Sequence, residues 1–419
     1  METVFFKVML GTVLLASTSA IVGSFSYLKK QSLVGDAVAH AILPGVVLAF
    51  FLGGEKNPWY LVSGALITGL MAHYGIEYIQ RYSKLKPDTA IALVLSVFFG
   101  IGIMLMSLLQ DAGVAGGSGL DRFLLGKAAA ITQQDLWAFG ALALFLILGV
   151  LLFYKGFQLM AFNEDFARAA GLPVEGVRTA LTVLTVLAIT LGIQTVGVVL
   201  MAALLITPAA AARAWTSNLP RLIVLSAIMA GASAALGTYV SSALPKMPTG
   251  PWIVVFMTGI AAVSLLVAPE KGWLARYKRA RRNSRKTNTE NVIKIFYQLE
   301  EREGRKGAFS MEDLLQKRAI ATPVLKRVLR QLVKSHWLTE GTAGFALTER
   351  GRKEGRRVVR LHRLWELYLT ERMRMKSDHI HPGAETMEHL ITPEIEQQLI
   401  AELGEPAIDP HNSPIPYDK

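Results

Sequence analysis

Asp36 and His40 stand four residues apart in an otherwise apolar run, Ser32-Leu33-Val34-Gly35-Asp36-Ala37-Val38-Ala39-His40-Ala41-Ile42-Leu43-Pro44-Gly45. On a helix that spacing puts a carboxylate and an imidazole on one face. Ionisable groups inside an apolar span are costly to bury and usually face a pathway or a partner. Pro44 has no N–H and cannot bond the carbonyl of His40, which leaves a further oxygen on the same turn. A carboxylate, an imidazole and a carbonyl form a hard-to-borderline ligand set suited to Mn²⁺, Fe²⁺ or Zn²⁺. The bland reading is a buried Asp–His pair joining two helices, or an interfacial residue beside Lys29-Lys30. His73 and Glu77 repeat the spacing next to Arg81, where an interfacial pair reaching water is the favoured reading.

A second group of metal-ligand types lies near the C-terminus. His362 and Glu366 are one helical turn apart, and His381, Glu385, Glu388 and His389 follow at spacings of four, three and one. A helix over 385–390 would turn Glu385 to the same side as Glu388 and His389. Four or more nitrogen and oxygen ligands suit Mn²⁺ or Fe²⁺. The bland reading is a solvated, charged helix surface.

The elements that must position these groups differ between the two parts of the chain. Residues 1–270 carry 15 basic and 12 acidic residues, and residues 271–419 carry 29 and 20, within a 419-residue chain that is 52% apolar. There is no cysteine, which excludes a disulfide framework and any cysteine-bound zinc or iron–sulfur site. In the first part, residues 4–26, 36–54, 59–79, 89–109, 135–154, 221–240 and 252–267 are apolar enough and about long enough to cross a bilayer. Residues 179–213 are long for one span and tight for two, with a break expected in Gly192-Ile193-Gln194-Thr195-Val196-Gly197. The basic loops at 29–30, 81–86, 155–178, 213–221 and after Lys271 can all be cytoplasmic only if residues 179–213 cross twice. That predicts nine spans with the C-terminus inside.

The stretch 271–286 mixes basic and aromatic residues beside a span and suits anionic lipid headgroups; the same composition could meet nucleic acid. Apolar residues at Val292, Ile295, Phe296 and Leu299 predict a helix. Ser310-Met311-Glu312-Asp313 reads as a cap for a short helix through Lys317. Thr322-Pro323 reads as the start of another, with Leu325, Val328, Leu329, Leu332 and Val333 as its buried face. Lys326, Arg327 and Arg330 lie off that face. A small hairpin follows, turning at Gly341-Thr342-Ala343-Gly344. A helix-turn-helix with a basic second helix and a wing is a shape that reads DNA through phosphate contacts, although winged helices also serve as protein-interaction modules.

Residues 32–45, Lys86-Pro87-Asp88-Thr89-Ala90, Leu120-Asp121-Arg122-Phe123-Leu124-Leu125-Gly126, Glu164-Asp165-Phe166-Ala167-Arg168-Ala169-Ala170-Gly171-Leu172-Pro173 and Gln194-Thr195-Val196-Gly197…Leu204-Leu205-Ile206-Thr207-Pro208-Ala209 together resemble the permease subunit of manganese/zinc/iron ABC importers. The resemblance covers nearly all of residues 5–268, in the family's order. It implies a divalent metal as substrate, a second permease protomer (the same or a paralogue) completing a pore, an extracytoplasmic metal-binding protein as donor, and an ABC ATPase subunit as motor. The resemblance makes 164–173 the ATPase-coupling helix, carried by Glu164, Asp165, Ala167, Ala170 and Gly171. The chain has no G-x-x-x-x-G-K-[ST] loop, so no ATP hydrolysis of its own is expected.

Leu361-His362-Arg363-Leu364-Trp365-Glu366, the run His381–His389 and Asp409-Pro410-His411-Asn412-Ser413-Pro414-Ile415-Pro416 resemble the diphtheria-toxin-repressor family of metal-dependent regulators, over about residues 290–416. The resemblance places His362, Glu366, His381, Glu385, Glu388 and His389 on metal-ligand positions, and Glu385 leans toward manganese. It also shows a departure: two first-helix positions that are acidic in manganese-type members are Asn291 and Lys294 here. A lysine ammonium at such a place repels a cation or stands in for it.

The fold expected is an all-α polytopic membrane domain of eight to nine transmembrane helices (1–270), a basic juxtamembrane linker (271–289), a winged helix-turn-helix (290–355) and a helical metal-binding and dimerisation-like domain (356–419). The function expected is a multi-pass permease of an ATP-driven Mn/Zn/Fe importer in the cytoplasmic (inner) membrane. Its cytosolic domain senses metal or binds DNA through Lys326, Arg327 and Arg330. The alternative is a membrane-tethered or proteolytically released metal-dependent repressor.

Overall fold

In lipid, a backbone can satisfy its polar groups internally by coiling into helices, and among the described residues every element of the first part of the chain is a helix. The computed structural model describes residues 2–29, 32–53, 58–111, 131–244, 247–304, 306–318, 320–373, 375, 387–389 and 391–417. Two units divide at Arg276: Met1–Arg276 and Tyr277–Lys419. The expected motif at 120–126 lies outside the described residues.

The first unit contains α1 (Glu2–Leu28), α2 (Ser32–Ala41), α3 (Leu43–Gly53), α4 (Pro58–Tyr82), α5 (Pro87–Asp111), α6 (Gln133–Phe162), α7 (Glu164–Ala169), α8 (Val174–Val196), α9 (Val198–Trp215), α10 (Leu219–Ala243) and α11 (Thr249–Val267). Among the described residues six stretches are long and apolar enough to cross a membrane: Val4–Leu28, Leu33–Gly53 (α2 with α3), Pro87–Leu109, Gln133–Phe162, Leu219–Ala243 and Thr249–Val267. α4 is as long, but His73, Glu77, Gln80 and Arg81 make its second half more polar. The stretch 179–213 is broken at Gly197, whose φ of 85° separates α8 from α9; glycine adopts a positive φ without a Cβ clash.

Association of apolar helices in lipid depends on close packing rather than on a hydrophobic drive. The glycines supply that closeness. A Cβ on Gly23 of α1 would lie 1.9 Å from the Leu205 carbonyl oxygen of α9, and one on Gly45 of α3 would lie 2.1 Å from the Gly64 carbonyl oxygen of α4. Some buried hydroxyls are satisfied locally: Thr18 donates to the Leu14 carbonyl at 2.7 Å, Ser24 to Ala20 at 2.7 Å and Ser226 to Leu222 at 2.8 Å. The core between these helices holds Phe25, Ile42, Phe157, Ile189 and Met201. Gly45→Val should therefore abolish accumulation of folded protein. Gly100→Ala, with nothing within 4 Å of its added methyl, should be tolerated. Gel filtration of the detergent-extracted proteins reads the difference, and a folded Gly45→Val would refute the packing argument.

The second unit contains all but the first four residues of α12 (Trp273–Glu303), then β1 (Ala308–Phe309), α13 (Met311–Lys317), α14 (Thr322–Lys334), β2 (Leu338–Gly341), β3 (Gly344–Leu347), α15 (Glu349–Glu371) and α16 (Pro393–Leu403). The segment read as a linker is helical from Trp273 and continuous with the helix expected around Val292. Its first half is exposed and basic; from Thr289 it is buried through Val292, Ile293, Phe296 and Leu299. Ser310 caps α13 in a reciprocal box with Asp313. α14 starts one residue earlier than expected: Ala321 is the cap and Thr322 the first helical residue. The hairpin pairs Leu338 with Leu347 and Gly341 with Gly344. A third strand not read from the sequence, β1, pairs with β3 and gives the order β1-β3-β2. Two residues of strand are too short for any alternation to show.

Three arginines of α15 tie the unit together. Arg352 grips Glu300 at 2.8 and 3.0 Å, Arg360 meets Glu396 at 2.7 Å, and Arg363 meets Glu301 at 2.6 and 2.9 Å. Such forked pairs are the stronger kind of charged hydrogen bond. Arg363 lies also within 3.6 Å of Asp409, which folds the C-terminal turn by accepting from the backbone N–H groups of His411 and Ser413.

Candidate metal sites and docking surfaces

α2 and α3 are nearly one helix. The Ile42 N–H donates to Val38 and the Val46 N–H to Ile42, carrying the ladder past Pro44. Asp36 and His40 share a face of α2, both partly exposed within the unit. His40 Nδ1 lies 2.9 Å from the Asp36 carbonyl oxygen and 3.4 Å from Asp36 Oδ1. A carbonyl oxygen can only accept, so Nδ1 carries the proton and a neutral ring keeps its lone pair on Nε2. That is how metal-ligating imidazoles are commonly oriented: one N–H goes to an oxygen and the other nitrogen faces the ion. The ring stands edge-on to Phe99 of α5, with centroids 5.4 Å apart.

His73 does not reach water. It is 7% exposed, and its Nε2 lies 2.9 Å from Thr182 Oγ1 of α8. α8 crosses α4 here, which covers the ring. Glu77, one turn on, lies 3.7 Å from both His73 Nε2 and Arg178 Nε. Arg178 also pairs with Glu164 of α7 and, at 3.2 Å, with Glu175. One guanidinium thus joins α4, α7 and α8. Sequence reasoning counted Arg178 only as a basic loop residue. The available signal was a lone arginine at the head of a long uncharged run.

Asn163 caps α7, its side-chain oxygen accepting from the Phe166 N–H at 3.1 Å, and Gly171 ends the segment with φ 81°. Asp165, Phe166, Ala170 and Gly171 are exposed, and Glu164 is half-buried. Ala167 is the exception among the expected docking residues. It is 1% exposed, because a six-residue helix lying on its own unit must turn one side inward.

In the second unit the carboxylates and imidazoles meet a lysine. Lys294 Nζ lies 2.7 Å from Glu388 Oε2, with side-chain exposures of 6% and 0%. His362 Nδ1 reaches the same oxygen at 2.5 Å, and His362 Nε2 lies 3.0 Å from Glu366 Oε1. Burial alone would push the Glu388 carboxyl up, but the hydrogen bond from His362 and the Lys294 charge outweigh it and hold it below the usual range. Burial pushes the His362 ring down, and the hydrogen bonds to Glu366 and Glu388 more than reverse that. His389 Nδ1 pairs with Glu290 Oε2 at 2.6 Å, and Lys286 Nζ stands 3.6 Å from Glu290 Oε1. The side-chain oxygen of Asn291 and Glu388 Oε1 are buried without a hydrogen-bond partner among the described residues. His381 and Glu385 lie outside the described residues. Among those described, no three His, Asp or Glu side chains are arranged to hold a metal ion.

Lys326, Arg327 and Arg330 are exposed on the outer face of α14, opposite the buried Leu325, Val328, Leu329 and Leu332.

Residues 1–268 match the ABC 3 transport family, and residues 348–417 match the iron dependent repressor, metal binding and dimerisation domain. The manganese transport system membrane protein MntC of Bacillus subtilis (strain 168) is 38% identical over 369 residues, which are 88% of this chain and 84% of that one. That extent runs well past residue 268, into the second unit. The zinc transport system membrane protein TroC of Treponema pallidum (strain Nichols) is 43% identical over 278 residues, 66% of this chain and 93% of that one. Among solved structures, PsaBC from Streptococcus pneumoniae in complex with Fab superposes with a TM-score of 0.57 at 30% identity, covering 66% of this chain and 94% of that chain.

Proposed function

The chain belongs to the ABC 3 transport family, and from that membership we propose that it is the permease subunit of an ATP-driven importer whose cargo is a divalent cation, Mn²⁺ or Zn²⁺, with Fe²⁺ as the third member of the set. The observation that carries the reading is the Asp36–His40 turn. A carboxylate stands beside an imidazole whose Nδ1 is committed to a carbonyl, which leaves the Nε2 lone pair to act as a ligand inside an apolar span. Relatives named for manganese and zinc transport support the cargo class. The other residues then take parts in one cycle. A partly dehydrated cation passes Asp36 and His40. The exposed face of 164–171, with Asp165, Phe166, Ala170 and Gly171, docks on an ABC ATPase subunit. A second permease protomer completes the passage, and an extracytoplasmic binding protein delivers the ion. α4, α8 and α9 join the six more apolar stretches as spans. Basic loops at 81–86, 155–178 and 213–221 face the cytoplasm of a cell bounded by this inner membrane, and the second unit lies on the same side.

The second unit belongs to the import system as its regulator. Residues 290–355 form a winged helix, and Lys326, Arg327 and Arg330 are its DNA-facing cations. The match of 348–417 to a repressor's metal-binding and dimerisation domain supports this reading. A metal ion is implied by that match, but the described residues do not fit one at Glu388, where Lys294 already sits.

Transport is tested in cells lacking the chain, given back the wild-type gene, with uptake of radiolabelled manganese and zinc measured at nanomolar supply. Restored uptake that collapses on ATP depletion is expected. Uptake indifferent to the gene would refute the permease reading.

A further inference from the structure

The second unit contains a centre that has the make-up of a metal site and is closed by the chain itself. Lys294 comes from α12, outside the matched 348–417 stretch. Its ammonium reaches in to Glu388 Oε2, the same oxygen that His362 Nδ1 meets. His362 turns its second nitrogen to Glu366. Both ring nitrogens therefore lie within 3.0 Å of carboxylate oxygens. We propose that Lys294 is a tethered cation that takes the place of a divalent ion among His362, Glu366 and Glu388, so that this centre is assembled without metal.

The physical argument is one of charge and space. A carboxylate as deeply buried as Glu388 needs a positive partner, because an uncompensated buried charge is strongly unfavourable. In a metal-binding domain the ion is that partner. Here a side chain supplies it from a neighbouring helix, at 2.7 Å. A divalent ion bound to Glu388 Oε2 at about 2.2 Å would lie within about 5 Å of Nζ and be repelled by it. The ammonium is a compact, strongly hydrated charge on a flexible stem. Once dried and paired it cannot be exchanged with the cytosol as an ion can. A regulator built this way does not report cytosolic metal through this centre. It holds α12 against the 387–389 segment at all metal levels.

The experiment counts bound manganese on the purified full-length chain in detergent, by the loss of the free-ion EPR signal. The parent chain and its Glu388→Gln variant should bind equal numbers of ions. Lys294→Ala should gain one ion per chain, and Lys294→Ala/Glu388→Gln should lose it again. Each comparison is a difference between tail variants, so ions held by the membrane unit cancel. The outcome is independent of whether the chain transports. The proposal is overturned if the parent loses an ion on Glu388→Gln, or if Lys294→Ala elutes as folded protein and gains none. Lys294→Met, which keeps an aliphatic stem, replaces Lys294→Ala should the smaller side chain prevent folding. The parent-against-Glu388→Gln comparison decides on its own if both variants at 294 fail to fold.

Discussion

Metal uptake by Asp36→Asn and by His40→Ala should fall by about a hundredfold with chain levels matched to wild type. Removing groups that merely orient a ligand costs about 10- to 100-fold, and these two are proposed as ligands themselves. Asp36→Asn is the cleaner variant. It keeps the size of the side chain and leaves the helical carbonyl that accepts from His40 Nδ1, so the ring stays oriented and only the charge is lost. His40→Ala also removes the ring that stands against Phe99. Gel filtration must therefore show it folded before its uptake is read. Wild-type uptake by folded Asp36→Asn would mean that cations do not pass this turn, and the permeation path would have to be sought elsewhere.

Arg178→Ala should separate ATP hydrolysis from transport. Its guanidinium pairs with Glu164 in the docking segment and stands 3.7 Å from Glu77 in α4, where His73 is anchored to α8 through Thr182. α4 in turn touches α3 backbone to backbone at Gly64 and Gly45, next to the helix that carries Asp36 and His40. On the proposed function, movement of segment 164–171 would pass through this guanidinium to α4 and α8. A hydrogen bond to a charged group is worth about 1.5–3 kcal/mol, which scales to about ten- to hundredfold in rate. The expected result is uptake lowered by at least about tenfold while the assembled complex still hydrolyses ATP. Arg178→Lys should restore it only in part, since an ammonium cannot span three carboxylates as a planar fork does. Unchanged uptake by Arg178→Ala would remove this residue from the mechanism.

These expectations drew on the sequence to different depths. The pairing of Asp36 with His40 was legible because i and i+4 positions of one helix are neighbours in any fold. The cap at Ser310 and the buried face of α14 were legible for the same reason, and so was a break near Gly197: all are local. The burial of His73 was not, because it depends on α8, more than a hundred residues later, crossing α4 at that ring. Arg178 went unrecognised because two of its three carboxylate partners, Glu77 and Glu164, come from other helices.

The amino-acid order by itself determined the division into an apolar, helical part and a basic, mixed one, and placed a carboxylate and an imidazole on one turn within the first. It also brought lysine to position 294 among otherwise ligand-like residues. Periodicity and hydropathy act over a few turns, and solvent preference needs no partner, so both can be read along the chain. Only the tertiary structure decided that Lys294 lies against Glu388 rather than in water, that Ala167 is turned inward, and that Arg178 ties three helices together. Each of those depends on what packs alongside, and the energy of a buried charge is set by neighbours distant in sequence.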